Sequence, residues 1–78
     1  MQIPSSLAQG LRLVDLAVER ERSGRPGYTA SRLADAAGIE RSRVSRLTGE
    51  LRDLDYLERD ESQSYRAGGR FLAVAAAL

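Results

Sequence analysis

Cysteine, histidine and lysine are all missing from the 78 residues of this chain. Without cysteine there is no disulfide and no thiol chemistry. Without cysteine or histidine the usual zinc ligands are gone, and so is the imidazole that most often moves protons in catalysis. Catalysis or magnesium binding by carboxylates alone needs Asp and Glu clustered beside a glycine-rich loop, and no such cluster flanks one here. The chain therefore reads as a non-enzyme with no metal and no cofactor. Long apolar runs are missing too. Phe71-Leu-Ala-Val-Ala-Ala-Ala-Leu78 is the longest at 8 residues, whereas a bilayer span takes about 20. Met1-Gln-Ile-Pro lacks the basic start and continuous apolar stretch of a secretory leader. The expectation is a cytoplasmic protein with no membrane partner. A chain this short is one small domain or a piece of a longer protein, and domains of its size fold while burying roughly 60% of their extended-chain surface.

With no lysine, all 12 cations are arginine, and the net charge is only +1. Arginine favours bidentate contacts to phosphate and guanine, but codon bias in a GC-rich genome produces the same substitution. Placement carries more weight than identity. Residues 25–52 hold six Arg against Asp35, Glu40 and Glu50, a balance of +3, while residues 53–61 hold five acids against Arg59, a balance of −4.

Pro4-Ser5-Ser6 reads as a helix start, with Ser6 and Gln9 spaced as a capping box. Leu7, Leu11, Val14 and Val18 follow at four, three and four residues, a core stripe widened by Leu13, Leu16 and Ala17. Gly24, Pro26 and Gly27 break residues 20–27 into a surface connection. Tyr28 forms a one- or two-residue strand, and Thr29 caps a helix over residues 30–37 whose Leu33, Ala34 and Ala37 face inward. Gly38 supplies a positive φ at its end. Ile39 plugs the corner, and a longer helix covers residues 40–54. Beyond it, alternation in Tyr56-Leu-Glu-Arg-Asp and Ser64-Tyr-Arg-Ala, around a turn-rich tip, predicts a β-hairpin with Leu57 and Tyr65 inward. A final helix begins at Arg70. The expected fold is mostly α with a small β-hairpin: a winged helix-turn-helix with a three-helix core, a wing and the start of a C-terminal linker helix.

The helix over residues 40–54 has an unusual outer face. Setting Val44 to zero at about 100° per residue puts Leu51, Leu47 and Leu54 near 340°, 300° and 280°. The opposite pole, near 145° on the same scale, holds Ser42, Ser45, Arg46, Gly49 and Asp53. A helix made only for solubility mixes Glu and Lys there. Short donors beside guanidinium groups suit a surface that meets phosphates and base edges. Docking of a recognition helix by its N-terminal half makes Arg41, Ser42, Ser45 and Arg46 the candidate contacts, with Arg43 on the flank and Gly49 admitting a close backbone. Ser42 is equally an ordinary early-turn residue, and Arg43 with Glu50 equally a solvated pair. Thr29, Ser31 and Arg32, at the first turn of the preceding helix, are placed to hold a phosphate. Tyr28 either touches the phosphate backbone or packs under the hairpin. Arg59 and Arg66 are the wing candidates, offset by Asp60 and Glu61, or else solvated strand charges.

Taken in order, Leu11-Arg-Leu-Val-Asp-Leu-Ala, Leu33-Ala-Asp-Ala-Ala-Gly-Ile, Arg46-Leu, Tyr56-Leu-Glu-Arg-Asp and Tyr65-Arg resemble the N-terminal domain of isocitrate lyase regulator (IclR) type transcription factors. The resemblance covers nearly the whole chain. It implies a winged helix-turn-helix that binds double-stranded, palindromic operator DNA, with a homodimeric full-length parent. Residues 1–68 would be the DNA-binding domain, and residues 69–78 the start of a linker or dimerisation helix leading to an effector-binding domain that this chain lacks. The family's recognition-helix start falls on Arg41-Ser42-Arg43, and its arginine before leucine on Arg46. Asp55 departs from the usual glycine after the helix, and Thr48-Gly49 from a more apolar pair. The competing expectation is a winged helix used for protein–protein contact without DNA. The acidic stretch over residues 53–61 favours that alternative, and the Ser/Arg/Gly face opposes it.

Overall fold

Ser5 opens the first helix of the computed structural model, which describes residues 5–78. The expectation of no leader at Met1-Gln-Ile-Pro and the part of Pro4 in the helix start fall on residues 1–4, outside the described residues. Extended backbone at Ser5 lets its hydroxyl accept the Ala8 N–H at 3.1 Å, and α1 runs Ser6–Arg22. The capping box expected at Ser6 and Gln9 is therefore corrected. Ser6 is already helical, and the Gln9 side-chain carbonyl instead accepts from Arg43 at 3.3 Å. Thr29 caps α2 (Ala30–Ala37), Gly38 turns the chain at φ 68°, and α3 runs Arg41–Asp53. A hairpin of β1 (Leu57–Arg59) and β2 (Tyr65–Ala67) pairs antiparallel with Leu57 opposite Ala67 and Arg59 opposite Tyr65. Helix α4 (Gly69–Ala76) follows. This is the expected winged helix-turn-helix.

The core draws on every layer: Leu13, Val14 and Ala17 from α1, Leu33 and Ala34 from α2, Val44 and Leu47 from α3, and Leu57 and Tyr65 from the hairpin. Tyr28, Ile39, Leu51 and Phe71 pack around it. The stripe expected through Leu7 and Leu11 is corrected, since these are 74% and 55% exposed. α1 instead buries Gly10, Leu13, Val14 and Ala17, a stripe rotated by about 80° around the helix from the Leu7–Leu11 line. Thr48 is fully buried although polar, with its hydroxyl donating to the Val44 carbonyl at 2.7 Å.

Three contacts fix the wing to the helices. Tyr28 bridges to Tyr65, its carbonyl accepting the Tyr65 N–H at 2.8 Å. Glu21, in the last turn of α1, accepts the Ala67 N–H at 3.0 Å. Thr48 and the Tyr65 hydroxyl meet at 3.3 Å. At the end of α3, Asp55 takes φ 61°, the left-handed position a glycine occupies at least cost. Its carbonyl accepts the Arg70 N–H at 2.9 Å and its carboxylate the Gly69 N–H at 3.2 Å, so one residue both ends α3 and caps α4.

Candidate nucleic-acid interface

The turn between α2 and α3 is built from few parts. The Thr29 hydroxyl accepts the Arg32 N–H at 3.4 Å, so this residue is committed to capping. After Gly38, the Ile39 N–H returns to the Ala34 carbonyl at 3.1 Å, and the half-buried Ile39 packs against the core. Glu40 starts α3, its carbonyl accepting the Val44 N–H at 3.0 Å. Its carboxylate accepts from the Ser42 hydroxyl, which leaves Ser42 free only as an acceptor.

From there the outer face of α3 opens to solvent. Arg41, Ser42, Ser45 and Arg46 are exposed, and the site of a Cβ on Gly49 has no heavy atom within 4 Å. Arg41 and Arg46 make no side-chain hydrogen bond or ion pair among the described residues. Arg43 differs, since its donation to Gln9 ties it to α1. Ser42, Arg43 and Arg46 are brought together with Glu40 around one open concavity of about 280 Å³. In the first turn of α2, Ser31 is half-buried and Arg32 exposed.

A second concavity, about 430 Å³, separates α3 from β1. It joins Gly49 to Arg59 and adds Arg52, and Asp53, Asp55 and Glu58 line it with them. Arg52 is missing from the sequence-based set, although its signal was present: seven residues after Ser45, it projects from nearly the same side of the helix. At the wing tip Arg59 and Arg66 share a third hollow with Asp60 and Glu61. Arg66 donates to Glu58 at 2.6 Å in an exposed ion pair, which raises its guanidinium pKa further. Arg59 lies 5.9 Å from the centroid of the Tyr65 ring.

The turn of the wing is organised by an acid. One Asp60 carboxylate oxygen accepts the Ser62 hydroxyl at 2.7 Å, the Ser62 N–H at 2.9 Å and the Ser64 N–H at 3.0 Å. These donors, the Ser62 hydroxyl foremost and then the Ser64 N–H, hold its pKa below the ordinary aspartate value, with a small Coulombic contribution from Arg66. Asp60 is therefore an architectural residue of the turn. Among the described residues no group of three or more carboxylates could hold a metal ion, and no helix is long and apolar enough to cross a membrane.

The family described as the IclR helix-turn-helix domain matches over residues 21–61, more than half of the chain. Solved structures agree along nearly all of it. An ICLR-type transcriptional regulator from a Silicibacter species is 29% identical with a TM-score of 0.76, covering 94% of this chain and 27% of its own. An IclR family transcriptional regulator from Brucella abortus is 28% identical with a TM-score of 0.78, covering 99% and 28%. A regulator of the same description from Alicyclobacillus acidocaldarius is 23% identical at TM-score 0.79, covering 97% and 29%, and shows the fold alone. The chain thus spans a little over a quarter of the length of these proteins. No functionally curated protein matches it in sequence.

Proposed function

Because this chain belongs to the IclR helix-turn-helix family, a family of DNA-binding regulator domains, we propose that it reads operator DNA with α3 in the major groove. The observation that carries this is the outer face of α3. Between Ser42 and Gly49 it presents only short side chains and arginines, and Arg46 has no partner of its own. A planar guanidinium left free on the docking half of a recognition helix suits the O6/N7 edge of guanine. Ser45 reaches base edges or phosphates beside it, Ser42, its proton given to Glu40, accepts from a base-edge donor, and Gly49 lets the helix backbone approach. Arg41 and Arg43 flank the helix at phosphate height. Thr29, Ser31 and Arg32 present the N-terminus of α2 to a second phosphate, and Arg59 and Arg66 carry the wing to the adjoining backbone or minor groove.

For the whole protein, the same reading is a cytoplasmic regulator that acts as a homodimer on a palindromic operator, its two α3 helices about 34 Å or a multiple apart. Residues 1–68 form the reader, and residues 69–78 begin the helix that leads out of it. The alternative, a winged helix that meets proteins and not DNA, is not favoured. Apolar surface on α3 lies on the flank away from the Ser/Arg face.

An amide-resolved NMR titration with a short random-sequence duplex at low salt tests the reading. Shifts should concentrate on residues 29–32, 41–49 and the hairpin and fade as salt rises, since binding through phosphates releases counterions. An unchanged α3 alongside shifts elsewhere would overturn the docking.

A further inference from the structure

Glu40 is out of character for the surface it stands on. It precedes the first turn of α3, at the end that enters the groove, and it is exposed. A carboxylate there opposes the phosphates of every duplex. Its local duties do not account for it. Its backbone carbonyl accepts the Val44 N–H at 3.0 Å, a service any residue supplies. Its side chain caps no backbone N–H, although Ser, Thr, Asp or Asn at that position would do so and steady the helix. Among the described residues it makes no ion pair; the pair that forms joins Arg66 and Glu58. Arg43, three residues on and at the spacing of a helical ion pair, donates to Gln9 instead.

What the carboxylate does hold is Ser42. It accepts the Ser42 hydroxyl proton, and both side chains line the open concavity of about 280 Å³ with Arg43 and Arg46. A carboxylate only accepts hydrogen bonds, and a hydroxyl whose proton is already given can only accept further ones. The leading end of α3 thus offers two acceptors side by side, one turn before the donors of Arg46.

Base edges in the major groove sort sharply against such a pair. Guanine shows N7 and O6 and thymine shows O4, all acceptors, and each repels it. Adenine and cytosine show an amino group. The N6 amino group of adenine lies between two acceptors, its own N7 and the O4 of the paired thymine. The N4 amino group of cytosine has an acceptor on one side only, with its C5–H on the other. Cytosine is therefore the base edge that two adjacent acceptors fit. From Ser42 to Arg46 the helix rises about 6 Å, less than two base steps of about 3.4 Å each.

We propose that Glu40, with the Ser42 hydroxyl it orients, is a specificity-determining residue that selects a cytosine through its N4 amino group. That cytosine lies within two base steps of the guanine taken by Arg46. The inference rests on the DNA-reading function of α3 and gives that function part of its half-site. The acid works chiefly by rejection, since every other base sets lone pairs against it.

Selection from a library of randomised duplexes at low salt, with the 78-residue chain and amide spectra as the folding check, tests it. The enriched duplexes should carry a cytosine at one position near a guanine. Glu40→Ala should lose the cytosine preference about tenfold and keep the guanine. Glu40→Gln should turn the preference towards adenine, because an amide both accepts from N6 and donates to N7. A chemical check replaces the selected cytosine by 2-pyrimidinone, which lacks the N4 amino group. The parent chain should lose about tenfold on that duplex, and Glu40→Ala almost nothing. A Glu40→Ala variant that still selects cytosine, or loses as much as the parent on the pyrimidinone duplex, overturns the proposal. So does a selected duplex without the cytosine. Those results leave the DNA-reading function standing where Arg46→Ala still loses the guanine. A folded chain that enriches no duplex sinks the function and the inference together.

Discussion

Thr48 on α3 and Tyr65 on β2 meet hydroxyl to hydroxyl at 3.3 Å in the core, where they are 0% and 4% exposed. The single proton of Thr48 is committed to the Val44 carbonyl at 2.7 Å, so the phenol is left to donate across the gap. This bond fastens the wing to the helix that carries the reading face.

Thr48→Val keeps the shape but leaves the buried phenol proton without an acceptor, at a cost of about 1–3 kcal/mol. Tyr65→Phe removes only the donor and should cost about 0.5–1.5 kcal/mol. Each kcal/mol lowers Tm by roughly 4–8 °C in a domain of this size, so melting resolves the order. A more damaging Tyr65→Phe would mean that the proton runs the other way.

Gly10 and Gly49 are both helix-interior glycines with empty space at the Cβ site, and alanine at either should stabilise the fold by roughly 0.5–1 kcal/mol. Their effects on duplex affinity should diverge. Gly49→Ala interposes a methyl group between α3 and DNA and weakens binding, while Gly10→Ala leaves it unchanged. Paired melting and fluorescence anisotropy measurements check this.

Arg46→Ala should cost about 1–3 kcal/mol of operator binding and relax preference at one base pair. Arg52→Ala, at the cleft between α3 and the wing, should weaken all sequences alike and reduce the salt slope by about one. Binding isotherms at several salt concentrations separate the two. Equal loss on every sequence for Arg46→Ala would reduce it to a phosphate contact.

Gly68 and Gly69 differ sharply in what a side chain would meet. A Cβ on Gly68 falls 2.3 Å from the Asp55 backbone oxygen, and one on Gly69 falls 2.8 Å from a carboxylate oxygen of Asp55 that can swing aside. Gly68→Ala should cost about 3 kcal/mol or more, and Gly69→Ala only about 0.5–2 kcal/mol, the cap bond lost when the carboxylate swings aside. Denaturant titration of both variants decides it.

The Asp60 carboxylate, held below its ordinary pKa by Ser62 and Ser64, stabilises the wing only when ionised. A depressed folded-state pKa gives stability that is complete above the unfolded-state value and lost as pH falls through the folded-state value. Amide exchange at Ser62 and Ser64 should therefore quicken below the ordinary aspartate range. Asp60→Asn should show fast exchange already at neutral pH.

Much of this was legible in sequence because local rules and tertiary needs agree. Thr29, Gly38 and the alternation around Leu57 and Tyr65 each specify a backbone geometry that the fold adopts. The misreadings share another cause. Helical spacing marks Leu7 and Leu11 as a stripe, but spacing cannot say which of two adjacent stripes on α1 another element covers. Serines at 5 and 6 are both able caps, and backbone direction at the helix entry chooses between them. Thr48 looked like a polar departure because its burial depends on a tyrosine 17 residues away. The helical wheel sets Arg46 on the outer pole and Arg43 on the flank, but the partner of Arg43 is Gln9 of α1, far away in sequence, and not the nearby Glu50.

The outer edge of β2 has its own consequence. Its two outward donors, Tyr65 N–H and Ala67 N–H, are already taken by the Tyr28 carbonyl and the Glu21 carboxylate. A strand edge whose outward donors are both taken is a poor template for an incoming peptide, while β1 on the other side is three residues long and carries Glu58 and Arg59. Edges so blunted resist strand addition from neighbouring molecules. The domain can therefore crowd along DNA at high local concentration without its wings zipping into sheets.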